Sequence, residues 1–218
     1  MKYELVIFDL DGTILDTLGQ LTVAFNHALE LSGILPVTKE IMRTRIGNGA
    51  RNLVRLSIAD VEGADEEKIS ADYREYYNSH CTENTEPFDG IKELLAELKR
   101  NGIRTAVVTN KSDGAAKKLC EYNFPGLLDV VRGHEEGIPH KPDPTIVNDI
   151  IRMYGISCEK TVIVGDSEVD ILTAVNSNVE HISVTWGYKD ASFLIANGAT
   201  DMASDVMELR QLLMGEKL

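Results

Sequence analysis

Val6-Ile7-Phe8-Asp9-Leu10-Asp11-Gly12-Thr13 is the stretch that decides how this chain folds. An apolar run short enough for a buried strand leads at once into two carboxylates spaced by one residue. On a regular strand alternate side chains share a face. Asp9 and Asp11 therefore crowd one small volume unless the chain turns between them. Gly12 suggests a turn, because glycine reaches backbone angles closed to other residues. Crowded carboxylates repel, and a divalent cation is the obvious counter-charge. The run points to a metal-dependent site with an aspartate able to act as nucleophile. Asp-x-Asp-Gly also opens calcium loops and plain turns. A calcium helix-loop-helix needs a Glu at loop position twelve. Counted from Asp9 that position is Gln20, and the segment before Asp9 reads as a strand.

Outward from this run, strand-like stretches alternate with helix-period segments. Residues 5–8, 104–109, 128–131, 161–164 and 181–185 read as strands. Ile91, Leu94, Leu95 and Leu98 carry the spacing of a helix that ends at Asn101-Gly102. Ser112 or Asp113 is placed to cap a helix running to about Tyr122. Pro142 and Pro144 open another helix, and Ser167 is placed to cap one more. This alternation predicts an α/β fold, a doubly wound parallel sheet with helices on both faces.

Residues from about 15 to 85 break the rhythm, with no convincing strand. Leu21, Phe25, Ala28 and Leu29 form a helical stripe closed by Gly33, and residues 41–46, 53–59 and 69–77 also look helical. A helical block inserted after the first strand would stand over the carboxyl ends of the strands, where ligands bind in open α/β sheets. The expected division is a catalytic core of residues 1–15 and 85–218 and a helical cap of residues 16–84.

Composition narrows the class of partner. The 218 residues include 22 Lys plus Arg and 35 Asp plus Glu, a formal net charge of −13. That argues against nucleic acid and anionic membranes, though a local cation can still draw a small anion into a cleft. The cysteines, Cys81, Cys120 and Cys158, are odd in number and widely spaced, which fits reduced thiols better than a disulfide framework. The apolar run at residues 5–8 is too short for a signal peptide, and no stretch is long enough to span a bilayer. A cytoplasmic protein, monomer or homodimer, is expected. The histidines, His27, His80, His134, His140 and His181, form no zinc spacing.

Further chemistry falls at predicted strand ends. Thr109-Asn110 supplies a hydroxyl and an amide, Lys141 a cation just before a helix, and Gly165-Asp166-Ser167-Glu168-Val169-Asp170 two more carboxylates. With Asp9-Leu10-Asp11-Gly12-Thr13 first, these four elements stand in the order of the signatures of the haloacid dehalogenase superfamily, and the chain resembles its phosphatase side. Arg45-Ile46-Gly47-Asn48-Gly49-Ala50, Pro87-Phe88-Asp89-Gly90, Val107-Val108-Thr109-Asn110-Lys111 and Val184-Thr185-Trp186-Gly187-Tyr188 resemble the phosphoglycolate phosphatase subgroup.

The resemblance implies a Rossmann-like core with a small helical cap and an aspartyl-phosphate mechanism. Asp9 would attack phosphorus, and Asp11 would serve as general acid and base. Mg²⁺ would be held by the Asp9 carboxylate, the Asp11 main-chain carbonyl and Asp166. Lys141 and Thr109 would stabilise the transferring group, with Asn110 and Gly12 also on the phosphate. Asp170 would bind the metal through water or orient Lys141. Arg45 and Arg51 could take a substrate carboxylate, although a solvated helix face is the simpler account. The expected substrate is a small phosphorylated metabolite, with 2-phosphoglycolate the best single choice. A pyrophosphatase or nucleotidase on the same site, a β-phosphoglucomutase-like phosphomutase, and a non-enzymatic phosphate-sensing or interaction protein are the alternatives. Dehalogenation fits poorly, since it needs no metal and no acid at position 11.

Overall fold

The computed structural model describes residues 2–47 and 49–215. In chain order its strands are β1 Leu5–Phe8, β2 Leu15–Asp16, β3 Glu86–Pro87, β4 Arg104–Ser112, β5 Val130–His134, β6 Thr161–Gly165, β7 Glu180–Val184 and β8 Asp201–Ala203. The helices are α1 Leu18–Leu31, α2 Lys39–Arg45, α3 Gly49–Ser57, α4 Glu66–His80, α5 Ile91–Arg100, α6 Asp113–Asn123, α7 Thr145–Tyr154, α8 Glu168–Ser177, α9 Ala191–Ala196 and α10 Val206–Met214.

Six strands form one parallel sheet in the order β5-β4-β1-β6-β7-β8. β1 lies inside it, and its four apolar residues alternate between two cores. Val6 and Phe8 join a cluster that includes Leu95 and Leu98 of α5 and Leu119 of α6. Leu5 and Ile7 join a second cluster with Ile146 and Ile150 of α7 and Ala174 of α8. A strand covered on both faces needs apolar residues at every position, and this is why its sequence is a continuous run. The predicted α/β fold with a doubly wound parallel sheet is therefore present.

α1 to α4 carry the residues between β1 and the rest of the sheet. Leu21, Phe25, Ala28 and Leu29 of α1 are buried, as are Ile69, Tyr73 and Tyr77 of α4. Phe25 meets Tyr73 edge-on, with ring centroids 5.7 Å apart. The chain enters and leaves these helices through β2 and β3, which pair antiparallel, Leu15 with Pro87 and Asp16 with Glu86.

Several boundaries differ from the sequence expectation. β2 is a strand in a region expected to have none, but two residues carry no periodicity to read. β8 is a three-residue edge strand with one apolar side chain buried, too short to stand out. β4 continues past Thr109 to Ser112. β5 starts at Val130 rather than Leu128, because Asp129 first ties off Thr105 through its carboxylate and its backbone N–H. α3 begins at Gly49, since its first turn is polar and only Leu53 and Val54 are buried. Among the described residues no helix is long and apolar enough to cross a membrane. Cys81, Cys120 and Cys158 are free thiols.

Candidate active site

Register brings the chemistry to one edge. Phe8 stands level with Val107 on β4 and with Val164 on β6. Asp9 and Asp166 therefore leave the sheet side by side at the carboxyl ends of adjacent strands, next to Thr109 within β4, at the edge where α/β sheets bind ligands. Lys141, on the link between β5 and α7, reaches the same edge. Its Nζ lies 2.9 Å from Asp9 Oδ1 and 2.7 Å from Asp170 Oδ1.

Asp170 is fully buried and uses both carboxylate oxygens. Oδ1 accepts from Lys141, while Oδ2 accepts from Ser167 Oγ at 2.6 Å and from Ser167 N at 3.2 Å. The serine that starts α8 is thus bonded to the carboxylate that fixes Lys141. A side chain at Gly165 would intrude here, since a Cβ there would sit 2.2 Å from the Asp170 carboxyl carbon. Asn110 clamps the backbone of Lys141 from the other side. Its Oδ1 accepts from Lys141 N at 2.8 Å, and its Nδ2 donates to Lys141 O and to Gly47 O. Its amide is thereby committed to protein partners.

Asp166 is held by Thr13 Oγ1, which donates to Oδ1 at 3.2 Å, and by the backbone N–H of Tyr188, which donates to Oδ2 at 2.7 Å. Gly12 packs on the same carboxylate. With φ of +82° and a virtual Cβ 2.4 Å from Asp166 Oδ2, no larger residue fits there. Asp11 lines the same cavity but takes different partners. Its Oδ1 accepts from Thr17 Oγ1 at 2.5 Å and pairs with Lys111 Nζ at 3.0 Å. Thr17 is the N-cap of α1 yet makes no side-chain cap bond, having given its hydroxyl to Asp11. Thr109 is buried, and its Oγ1 accepts from Lys111 N at 3.3 Å.

Burial and crowding set the electrostatics. Burial pushes the Asp9 carboxyl up to about 6, against the pull of Lys141, with Asp170 and Asp11 adding to the rise. Burial also lifts Asp166 well above the usual carboxylate range, helped by Asp170 and Asp9. Burial works against the charge of Lys141, but Asp170 and Asp9 outweigh it and hold the ammonium above its ordinary value. Ionising Asp9, Asp166 and Asp170 together would place more negative charge here than one lysine neutralises.

Ligand oxygens of Asp9, Asp166 and Asp170 all lie within 4.8 Å of one another. Asp170 is fully buried and bonded to Lys141 and Ser167, whereas Asp9 and Asp166 line the open cavity and are the accessible carboxylates. An all-oxygen donor set beside excess negative charge fits a hard divalent cation.

Asp9, Asp11, Thr109, Asn110, Lys141 and Asp166 line a cavity of about 800 Å³ between the sheet edge and the inserted helices. The contacts of two cationic residues in and beside it were not legible in the sequence. Lys111 is buried and donates to Tyr77 Oη of α4 at 2.8 Å, besides its contact with Asp11. Arg43 of α2 donates from Nε to Tyr188 O and from Nη2 to Gly187 O, both at 2.9 Å, gripping the loop that orients Asp166. Charged residues on a helix face give no sign of which carbonyls they will meet. Tyr188 does more than pack, since its Oη accepts from Thr17 N at 3.0 Å. Trp186 donates to Thr13 O at 3.1 Å. Arg51 is exposed and tied to Glu66 and Glu67. His134 and His140, six residues apart in sequence, stack with centroids 3.6 Å apart on the cavity wall. Of the Gly47-Asn48-Gly49 run, Asn48 lies outside the described residues.

Comparison with known proteins agrees with this geometry. Residues 6–184 match the haloacid dehalogenase-like hydrolase family. The chain is 34% identical to Phosphoglycolate phosphatase 1 of Pseudomonas aeruginosa, over 94% of this chain and 78% of that protein. It is 32% identical to the phosphoglycolate phosphatase of Agrobacterium fabrum, over 85% of this chain and 82% of that one. A crystal structure of a candidate phosphoglycolate phosphatase from Lactobacillus delbrueckii subsp. bulgaricus superposes with a TM-score of 0.93 at 35% identity, covering 99% of this chain and 100% of its own. With its sheet order, its ordered carboxylates and its buried lysine, the chain belongs to the haloacid dehalogenase-like hydrolase family.

Proposed function

We propose that this protein is a Mg²⁺-dependent phosphatase of small phosphorylated metabolites, with 2-phosphoglycolate as substrate. The observation that carries the proposal is the buried Lys141 fixed between Asp9 and Asp170, beside Asp166 in a cavity that Asp11 also lines. Relatives named phosphoglycolate phosphatase support the choice of substrate. Residues 16–84 serve as the cap and residues 1–15 and 85–218 as the core.

Asp9 attacks phosphorus: an Oδ–P bond forms as the bond from phosphorus to the leaving oxygen breaks. Asp11 gives its proton to that oxygen, then removes one from the water that attacks the aspartyl-phosphate, and Asp9 is released. Lys141 and the Thr109 hydroxyl stabilise charge on the transferring group. Asn110 keeps Lys141 in place through its backbone, and Gly12 leaves room for the Asp166 carboxylate. Asp170 orients Lys141. Asp9, Asp166 and the Asp11 carbonyl would hold Mg²⁺, which would offset the repulsion between anionic nucleophile and phosphate. Closure of the cap over the cavity excludes water from the first step.

The test is phosphate release from 2-phosphoglycolate, pyrophosphate, nucleoside monophosphates and sugar phosphates, with Mg²⁺ or with EDTA. Metal-dependent release with a preference for 2-phosphoglycolate is expected. A preference for pyrophosphate or a nucleotide keeps the mechanism and replaces the substrate. No release by the folded protein overturns the proposal.

A further inference from the structure

Lys111 is a buried cation that the mechanism above does not use. Its side chain is 6% exposed, and Nζ lies 3.0 Å from Asp11 Oδ1. The ammonium donates to Tyr77 Oη at 2.8 Å and stands 4.5 Å from the centre of that ring. Removing a lysine from water is costly unless its donors find partners. An ammonium has three donors. Among the described residues Asp11 and Tyr77 take two, leaving one for a ligand in the cavity that Lys111 lines.

We propose that Lys111 is a specificity-determining residue that receives the carboxylate carried by the leaving group of a phosphorylated α-hydroxy acid. The inference rests on the phosphatase reading, in which Asp11 meets the ester oxygen. In such a substrate a carboxylate oxygen lies only about 3 Å from the ester oxygen. A cation set 3.0 Å from Asp11 Oδ1 is at the matching remove.

The other cations lining the cavity are placed for different work. Lys141 is committed to Asp9 and Asp170. Arg51 has a side chain 79% exposed and tied to Glu66 and Glu67. Arg74 donates to Ser70 O, and Lys189 lies over the Phe193 ring. A simple alkyl phosphate offers Lys111 nothing. A site built around a buried charge rejects the ligand that leaves that charge unmatched.

The experiment measures kcat and KM for 2-phosphoglycolate and for ethyl phosphate, with Mg²⁺, in wild type, Lys111→Met and Lys111→Arg. The expected result in Lys111→Met is a KM for 2-phosphoglycolate raised about 30-fold, the loss of one charge-assisted contact. KM for ethyl phosphate should barely move, and Lys111→Arg should recover part of the preference. A merely structural role, holding Asp11 and Tyr77, would lower kcat on both esters alike and leave their KM ratio unchanged; that outcome overturns the proposal. If Lys111→Met does not fold, wild type decides alone. Glycolate should inhibit hydrolysis of ethyl phosphate competitively at concentrations where ethanol does not, and equal inhibition by the two overturns the proposal. Absence of phosphate release by wild type from every ester overturns the phosphatase reading and this inference together. Turnover with an unaltered preference in Lys111→Met overturns this inference alone.

Discussion

Replacing Lys141 with Met keeps the length of the stem and removes its charge. In the folded protein Nζ lies 2.9 Å from Asp9 Oδ1 and 2.7 Å from Asp170 Oδ1, with the Asp170 side chain fully buried. Taking one partner from a buried ion pair leaves an uncompensated charge and costs about 3–5 kcal/mol. Two carboxylates face the loss, but not equally. Asp9 is 13% exposed and already titrates at about 6, so it can shed its charge by taking a proton. Asp170 keeps its bonds from Ser167, which soften the penalty. The lower end, about 3 kcal/mol, is therefore expected near neutral pH. For a chain of this size that lowers Tm by roughly 6–12 °C.

Urea unfolding in EDTA, at pH 8 and pH 5, measures this directly. Without Lys141 the pull that opposes burial at Asp9 is gone, so its folded pKa rises further above its unfolded value. An acid whose folded pKa is raised stabilises the fold while protonated and loses that contribution as pH rises through the folded pKa. The deficit should be largest at pH 8 and narrower at pH 5. In the background of Asp170→Asn the same substitution should cost less, with a coupling of about 1.5 kcal/mol or more. A deficit below about 1 kcal/mol at pH 8, or one independent of pH, would refute Lys141 as a buried counter-ion.

Asp9→Asn should abolish phosphate release while circular dichroism shows the fold retained; normal turnover in that variant would remove Asp9 as nucleophile. The metal-free wild type should itself lose stability as pH rises. The folded Asp9 carboxyl is raised from 3.8 to about 6, so its contribution is complete below the first value and lost on passing the second. That shift is worth about 3 kcal/mol. Mg²⁺, which prefers the ionised carboxylates, should accordingly raise Tm more at pH 8 than at pH 5, and calorimetry that finds the reverse would contradict the assigned donors. Gly165→Ala would drive a methyl into the Asp170 carboxylate and should cost about 1–3 kcal/mol in urea unfolding together with most of the activity.

Much of the core was legible because its signals are local. β1 and β6 are buried on both faces, so their residues form unbroken apolar runs, and the acids that follow them mark the functional edge. The stripe of α1 could be read for the same reason, since one face of the helix is buried against α4. What escaped depends on contacts between distant residues. Nothing in the sequence says which groups Lys111 and Arg43 meet, and only the tertiary fold aims one at Asp11 and Tyr77 and the other at the loop of residues 187–188. The bond from the Thr17 hydroxyl to Asp11 is likewise visible only in the structure. β8 has too few residues to express a period, and its place is set by pairing with β7.

The paired connectors β2 and β3 make the helical insertion graftable. Because Leu15 stands opposite Pro87 and Asp16 opposite Glu86, the chain leaves the core and returns at neighbouring points. Exchanging the segment between them adds little loop-closure entropy, which grows only with the logarithm of length. A lineage could replace the inserted helices and keep Asp9 and Asp166 on neighbouring strands, with Lys141 still held by Asn110 and Asp170 of the sheet and α8. The transplant would still have to supply a hydroxyl where Tyr77 now meets Lys111 and a cation where Arg43 now grips the carbonyls of residues 187 and 188.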